Sequence, residues 1–280
     1  MAQLKKRGLT LTGRLETDNV SFYTKKGKII MRSATTKQPP RRTRGQFISR
    51  QRVAHNMGLW KRLKHDVKPM FTNSENIYGR FCSLMHKCPV VFLTKEALRN
   101  GATLLLPGMT VSDGILADIG YHIGVAEGSP ALFTNLKVAE EWDGQPNGTD
   151  MVAALCRFNT DFRTGDVLRL YTLRQVIENM IPKVYIEVEN LTIEYGETIV
   201  GFRGVELRSV DGCLVLAGST FADTSAGWAL VHISGNKCST QTVVTHCTLY
   251  EQYTTEEAMA VAADSYGGLT LPGMITPDTD

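Results

Sequence analysis

Long hydrophobic runs are missing from this sequence of 280 residues. Its densest apolar stretches, residues 103–106 and Cys213–Ala217, are far shorter than the roughly 18 to 20 residues that cross a bilayer. The positively charged start, residues 1–7, is not followed by the apolar stretch of a signal peptide. The sequence therefore predicts a soluble protein that is made in the cytoplasm and has no membrane partner.

Cysteine is also scarce, and the six that are present are widely spaced. Such spacing provides no disulfide framework and favours reduced thiols, although an even number also allows pairing. These cysteines are Cys82, Cys88, Cys156, Cys213, Cys238 and Cys247.

The local patterns of common catalytic sites are absent from the sequence. There is no glycine-flanked serine elbow, no phosphate-binding loop, no dinucleotide fingerprint and no paired-histidine metalloprotease helix. We therefore predict that the chain is not an enzyme and carries no cofactor. One enzymatic alternative stays open, a hydrolase with a dispersed catalytic site, because such a site leaves no local pattern.

One group of residues has the chemistry of a metal site. Four soft ligands could come from Cys82, His86 and Cys88 together with His246 or Cys247. Their spacing matches no zinc module, and buried thiols are the commoner explanation, so no metal site is predicted. The acids have no calcium-loop spacing either, and we interpret them as surface or turn residues: Glu187, Glu189, Glu194, Asp150, Asp161 and Asp166.

Charge is distributed very unevenly along the chain. Residues 1–68 carry 18 Lys and Arg against three acids, a net charge of +15, whereas residues 69–280 carry 13 against 25, a net charge of −12. The basic part can neutralise phosphates or bind an acidic surface, including the acidic body of another copy. The predicted partners are therefore further copies of the chain, other subunits, or the phosphate backbone of a nucleic acid.

The basic region has three predicted parts. Two β-favouring runs, residues 20–24 and 29–31, are joined by a lysine-rich glycine turn and indicate a hairpin. Residues 35–42 contain two consecutive prolines and form an extended strap. A helix begins at Thr43 and ends before Pro69. Its predicted buried stripe is Val53, Met57, Trp60, Leu63 and Val67.

The cations of these three parts are the candidate binding residues for nucleic acid or an acidic partner. Few aromatic side chains lie among them, so contact with nucleic acid would be directed to the backbone and sensitive to salt. The candidates are Lys25, Lys26, Lys28, Arg41, Arg42, Arg44, Arg50, Lys61 and Arg62.

The remainder of the chain is predicted to form short strands separated by glycine and proline turns. The fold class is mainly β, with one long N-terminal helix, a short C-terminal helix from residue 255, and Ig-like or β-sandwich domains. Three modules are expected: 1–70, 71–150 and 151–280. The predicted strands are residues 90–94, 103–106, 116–125, 131–138, 152–158, 183–189, 213–217, 228–233 and 242–250.

The N-terminal third resembles a known family. Residues 26–33, the Pro39-Pro40 pair, residues 43–46 and Trp60 are similar to uncharacterised proteins of Bacteroidetes and their phages. Those proteins combine a basic hairpin, a strap and one helix with immunoglobulin-like domains, and residues 226–241 resemble their closing strands. No activity is established for the family, so the resemblance implies a fold and a link to phages.

Two functional hypotheses follow. The first is a structural protein of a large assembly, a phage particle, whose basic strap contacts neighbouring subunits or nucleic acid. The alternative is a nucleic-acid-binding protein of the bacterial cytoplasm. The first places the protein in the virion, and the second keeps it in the cytoplasm of the cell that makes it.

Overall fold

This computed structural model describes residues 13–15, 20–25, 28–33, 43–139, 148–196 and 201–269. The chain forms two compact units, one made of Met1–Thr43 with Thr270–Asp280 and the other of Arg44–Leu269. These units divide the chain after residues 43 and 269, whereas the modules expected from the sequence divide it at residues 70 and 150. The long helix therefore belongs to the same compact unit as the sheets that follow it.

The first unit contains the predicted hairpin. Strands β1 (Gly13–Leu15), β2 (Val20–Lys25) and β3 (Lys28–Ser33) form an antiparallel sheet in that order. The register of β2 and β3 pairs Lys25 with Lys28 at the closed end.

Among its described residues, the second unit has five α-helices and eleven strands. The helices are α1 (Arg44–Val67), α2 (Ile77–Leu84), α3 (Lys95–Arg99), α4 (Gly148–Phe158) and α5 (Glu256–Ser265). The strands are β4 (Thr110–Ser112), β5 (Tyr121–Ala126), β6 (Ser129–Lys137), β7 (Val167–Glu178), β8 (Ile181–Thr192), β9 (Glu206–Val210), β10 (Cys213–Ala217), β11 (Ala226–Ser234), β12 (Lys237–Cys238), β13 (Gln241–Thr242) and β14 (Val244–Thr245).

The long strands form two antiparallel sheets. One has the order β5-β6-β10-β9, and the other has the order β12-β11-β7-β8 with β14 also paired to β11. Strands β13 and β4 form a separate pair. The fold class is therefore mixed, because helices accompany the antiparallel sheets.

Two hydrophobic cores lie on opposite faces of the sheet that contains β7. Leu168 and Leu170 of β7 belong to a core shared with Leu214 of β10, in the other sheet. Tyr171 of β7 belongs to a second core that includes Leu59 of α1. Because successive strand residues point to opposite faces, β7 can serve both cores. The sheet is thus covered by the other sheet on one side and by helices on the other.

Helix α1 ends at Val67, as predicted, and Pro69 lies in the 3-10 turn that follows. The predicted buried stripe is partly wrong, because Val53 and Met57 are 57% and 45% exposed. The residues buried in their place include polar ones, and the full set is Phe47, Gln51, His55, Asn56, Leu59, Leu63 and Val67.

The buried polar residues of α1 form hydrogen bonds with the backbone of two segments that were predicted to be strands. The ring of His55 accepts a hydrogen bond from Leu104 N at 3.0 Å through Nε2. Gln51 exchanges two hydrogen bonds of 3.1 Å with the backbone of Leu93. Residues 90–94 and 103–106 are therefore not strands, although the sequence predicted them, because side chains of α1 take the hydrogen bonds of Leu93 and Leu104 that a neighbouring strand would otherwise take.

The other strand predictions have mixed outcomes. Those for residues 131–138, 183–189, 213–217 and 228–233 are confirmed by β6, β8, β10 and β11. The predictions for residues 116–125 and 242–250 are correct only in part. Residues 152–158 belong to α4, because alanine and leucine favour a helix and Leu155 is buried. The C-terminal helix is confirmed as α5, which Thr255 caps.

Candidate interaction surface

One exposed face of α1 combines cations with apolar side chains. It consists of Arg50, Val53, Met57, Lys61 and Lys64, and we call it the α1 ridge. Steps of three and four residues keep these side chains on the same side of a helix. Arg50 and Lys61 are about 16 Å apart along the helix axis, since each residue adds about 1.5 Å. The two apolar side chains lie between them.

The cations of the α1 ridge are available to a partner. The side chains of Arg50, Lys61 and Lys64 are exposed and form no hydrogen bond or ion pair with any described residue. Contacts to phosphate come from cationic and polar side chains, whereas protein interfaces place apolar side chains at the centre and polar ones at the rim. The arrangement of the α1 ridge matches the second pattern.

Two other predicted binding residues of α1 are used within the fold. The guanidinium of Arg44 forms an ion pair with Glu256 of α5. Arg62 donates from Nη2 to Gly101 O at 3.2 Å, and its guanidinium lies 5.7 Å from the ring centroid of Tyr185. The sequence could not separate these two cations from Arg50 and Lys61, because all four are spaced along the same basic helix.

The remaining candidates belong to the first unit. Lys25 and Lys28 end β2 and begin β3, and their side chains lie outside the described residues. Lys26, Arg41 and Arg42 also lie outside the described residues. Their role in binding stays a prediction.

An apolar cleft lies between α3, α5 and the turn that joins β7 to β8. We call it the α5 cleft; it has a volume of about 410 Å³. Met180 at the turn and Val261 on α5 are 93% and 61% exposed. The apolar side chains that line it are Phe92, Leu93, Ala97, Met180, Pro182, Tyr253, Ala258 and Val261. No sequence pattern indicated this cleft, because its walls come from distant segments.

Acids outnumber cations among the exposed residues that lie next to the lining residues of the α5 cleft, in sequence or one helical turn away. Glu251 precedes the lining residue Gln252, and Asp264 lies three residues after Val261, on the same side of α5. Glu96 and Glu257 are also next to lining residues, and hydrogen bonding to its own backbone and to Thr255 lowers the pKa of Glu257. The cations in comparable positions are Lys95 and Arg99.

A buried histidine and aspartate form the most polar contact of the interior. His232 Nε2 lies 2.8 Å from Asp166 Oδ2, and these side chains are 1% and 5% exposed. Phe162 stacks on the imidazole with the ring centroids 3.9 Å apart. Asp166 also accepts a hydrogen bond from Arg163 N at 2.9 Å. The pair joins β11 to the turn before β7, and the sequence had assigned Asp166 only to a turn.

His232 also reaches the wall of a second cleft, which has a volume of about 270 Å³. Several polar groups in this wall are bound to the backbone. Asp118 accepts from Thr240 N at 3.0 Å, and Asn159 accepts from Lys137 N at 3.0 Å. Their hydrogen bonds hold neighbouring loops and strands together, so we assign the polar wall to the fold.

The predicted metal candidates are engaged in other contacts. His86 Nδ1 lies 2.9 Å from Arg52 Nη1, and because arginine can only donate, this nitrogen accepts the hydrogen bond. Burial raises the pKa of Cys88 to about 11, which keeps its thiol protonated. All six cysteines are free thiols. The described residues contain no group of three or more potential ligands that could hold a metal ion.

The predicted surface acids are partly used by the fold. Glu187 lies 3.7 Å from Arg174, and Glu189 accepts a hydrogen bond from Arg203 N at 2.6 Å. Glu194 is exposed. Asp161 is exposed at the second cleft, and the side chain of Asp150 lies outside the described part of the chain.

No protein-family model, curated protein or solved structure matches the chain. Among the described residues, no helix is both long enough and apolar enough to span a membrane. The α1 ridge is the candidate surface whose exposed cations pair with no described residue.

Proposed function

We propose that this chain is a non-enzymatic structural protein of a large assembly, a phage particle, and that its basic N-terminal region contacts neighbouring subunits. The observation that carries the proposal is the α1 ridge, in which Val53 and Met57 are exposed between cations. Exposed apolar side chains with a charged rim are typical of surfaces that bind protein. The resemblance to proteins of Bacteroidetes and their phages is the reason for naming a phage particle.

The finer fold class belongs to the same proposal. We propose that the two antiparallel sheets of the second unit form a β-sandwich of the immunoglobulin-like kind, because Leu168 and Leu214 from different sheets share a core. The basic strap supports the same function, since residues 35–42 span up to about 28 Å when extended and could contact a neighbouring subunit.

A second candidate function is nucleic-acid binding in the bacterial cytoplasm. The observation that favours it is the exposure of three cations on one helix face, Arg50, Lys61 and Lys64, which pair with no residue that the structure describes. Such a face can contact successive phosphates without reading sequence. This function predicts a monomer whose affinity for DNA falls steeply as salt rises.

Alanine substitution of two strap arginines tests the proposed function. We expect Arg41→Ala with Arg42→Ala to lower recovery of the protein in purified particles about fivefold, because two charged contacts to neighbours are lost. Quantitative mass spectrometry of the particles measures the recovery.

The matched control removes two exposed cations that lie outside the basic region and outside the α5 cleft, Arg203→Ala with Lys237→Ala. This control should be recovered like the wild type. Equal recovery of the strap variant and the control would show that the strap does not contribute to assembly. Absence of the wild-type protein from particles would contradict the proposed function.

A further inference from the structure

We propose that the partner of the α1 ridge is a second copy of this chain, bound through its α5 cleft. The proposal rests on the proposed function and specifies one of the contacts by which copies assemble. Met57 and Val53 of one copy would enter the apolar cleft lined by Ala258 and Val261 of the next. The cations at either side would then face the acids of the cleft.

The two surfaces complement each other in apolar character. On the α1 ridge, Val53 and Met57 are 57% and 45% exposed, although both are the type of side chain that a core usually takes. The α5 cleft leaves Met180 and Val261 exposed around a space of about 410 Å³. Burial of both apolar surfaces in one contact removes them from water, which supplies the attraction.

The two surfaces also complement each other in charge. Arg50, Lys61 and Lys64 give the α1 ridge three positive charges and no acid. The exposed residues beside the cleft lining include four acids and two cations. The acids are Glu96, Glu251, Glu257 and Asp264, and the cations are Lys95 and Arg99. A fifth acid of the region, Glu178, is paired with Lys183 at 2.7 Å. Opposite charges of this kind orient the approach of two copies.

The geometry implies a head-to-tail assembly. The α1 ridge and the α5 cleft share no residue, so one copy can use both at the same time. Contacts between two different surfaces build rings or open chains, whereas identical surfaces build closed dimers. The contact joins one helix face to one cleft, so we expect it to be weaker than stable complexes, which bury roughly 1,200 to 2,000 Å², and to depend on concentration.

Reciprocal charge reversal tests this contact. One variant carries Arg50→Glu with Lys61→Glu on the ridge, and the other carries Glu251→Lys with Asp264→Lys beside the cleft. Each variant alone faces like charges, and we expect its self-association to weaken about tenfold. Mixed in equal amounts, the two variants again present opposite charges at both contacts, so association should return. Sedimentation velocity of the full chain at graded concentrations measures it.

A second arm of the experiment replaces an apolar residue of the ridge, with Met57→Asp, which places a carboxylate among the acids of the cleft. It should weaken self-association about tenfold, whereas Ile115→Asp, at a position that is 65% exposed and belongs to neither surface, should not. The charge control is Lys237→Glu with Glu194→Lys, on neither surface. Thermal unfolding of every variant confirms that the fold is kept.

The outcomes separate this contact from the proposed function. If the wild type associates and the ridge and cleft variants associate equally well, or if mixing restores nothing, the contact is wrong while the assembly proposal stands. If the wild type alone is monomeric but is recovered from purified particles, the contact is again wrong and the protein assembles only with other subunits. If it is monomeric and absent from particles, both proposals fail.

Discussion

Replacing Trp228 with alanine lowers the free energy of unfolding by about 3 to 5 kcal/mol. Trp228 is fully buried in the core between the two sheets, where its ring lies 5.4 Å from that of Phe221. Its strand, β11, pairs with both β7 and β14 at this residue. A cavity at this position therefore loosens the contact between the sheets. Urea unfolding followed by circular dichroism measures the change.

Trp228→Phe is the matched variant, because the indole Nε1 has no hydrogen-bond partner among the described residues. Removing that group breaks no hydrogen bond, and only the smaller ring volume is lost. We expect a cost of about 1 to 2 kcal/mol. If the alanine variant were no less stable than the phenylalanine variant, the shared core would not hold the sheets together.

Acidification below pH 6.5 destabilises the protein through His55. Complete burial lowers the pKa of His55 from 6.5 to about 4, and its Nε2 accepts a hydrogen bond from Leu104 N. The unfolded state therefore binds a proton more readily than the folded state. Stability is full above about pH 6.5 and falls as the pH drops toward 4, by about 3 kcal/mol from this group.

His55→Gln isolates this contribution, because its amide oxygen can accept the same hydrogen bond but does not titrate. We expect the variant to lose about 3 kcal/mol less than the wild type between pH 7 and pH 4. Carboxylates titrate in both proteins, so their contribution cancels in the comparison. Urea unfolding at a series of pH values measures it, and parallel curves for the two proteins would show that His55 is not the titrating group.

Local sequence signals predicted helix ends and turns, because the backbone conformation at these places depends on one or two residues. Pro69 lacks an N–H group, and α1 ends at Val67. Asp211 and Gly212 both have positive φ, as the tight turn between β9 and β10 requires. Thr255 caps α5, and Gly268 has positive φ after its end. In each case one or two neighbouring residues decide the conformation.

The buried face of α1 could not be predicted from hydrophobic periodicity. Gln51 and His55 are 2% and 1% exposed, yet a pattern of apolar residues assigns polar side chains to the surface. They are buried because residues 93 and 104 need hydrogen-bond partners, and those residues are about 40 to 50 positions away. The same error assigned Val53 and Met57 to the core instead of the exposed face.

The candidate surface could be predicted in part. Arg50 and Lys61 were identified from charge density alone, and both are exposed. Charge density could not show that Arg62 binds Gly101 O, or that two apolar residues separate the exposed cations. The α5 cleft and the His232–Asp166 pair depend on residues that the fold brings together, so no local sequence pattern indicated them.

Nucleic-acid binding and assembly make different predictions for the same cations. If Arg50, Lys61 and Lys64 bind phosphates, replacing all three with alanine reduces the slope of log affinity against log salt by about 3. If they bind another copy, the replacement weakens self-association and leaves the slope for DNA unchanged. The three side chains thus distinguish the two candidate functions.

Sedimentation velocity of the full chain, with and without DNA and over a range of salt, tests the central claim most directly. We predict concentration-dependent species larger than the 31.0 kDa monomer in the absence of DNA. A chain that stays monomeric at every concentration, and that binds DNA with an affinity falling steeply as salt rises, would contradict the claim that it is a structural protein of an assembly.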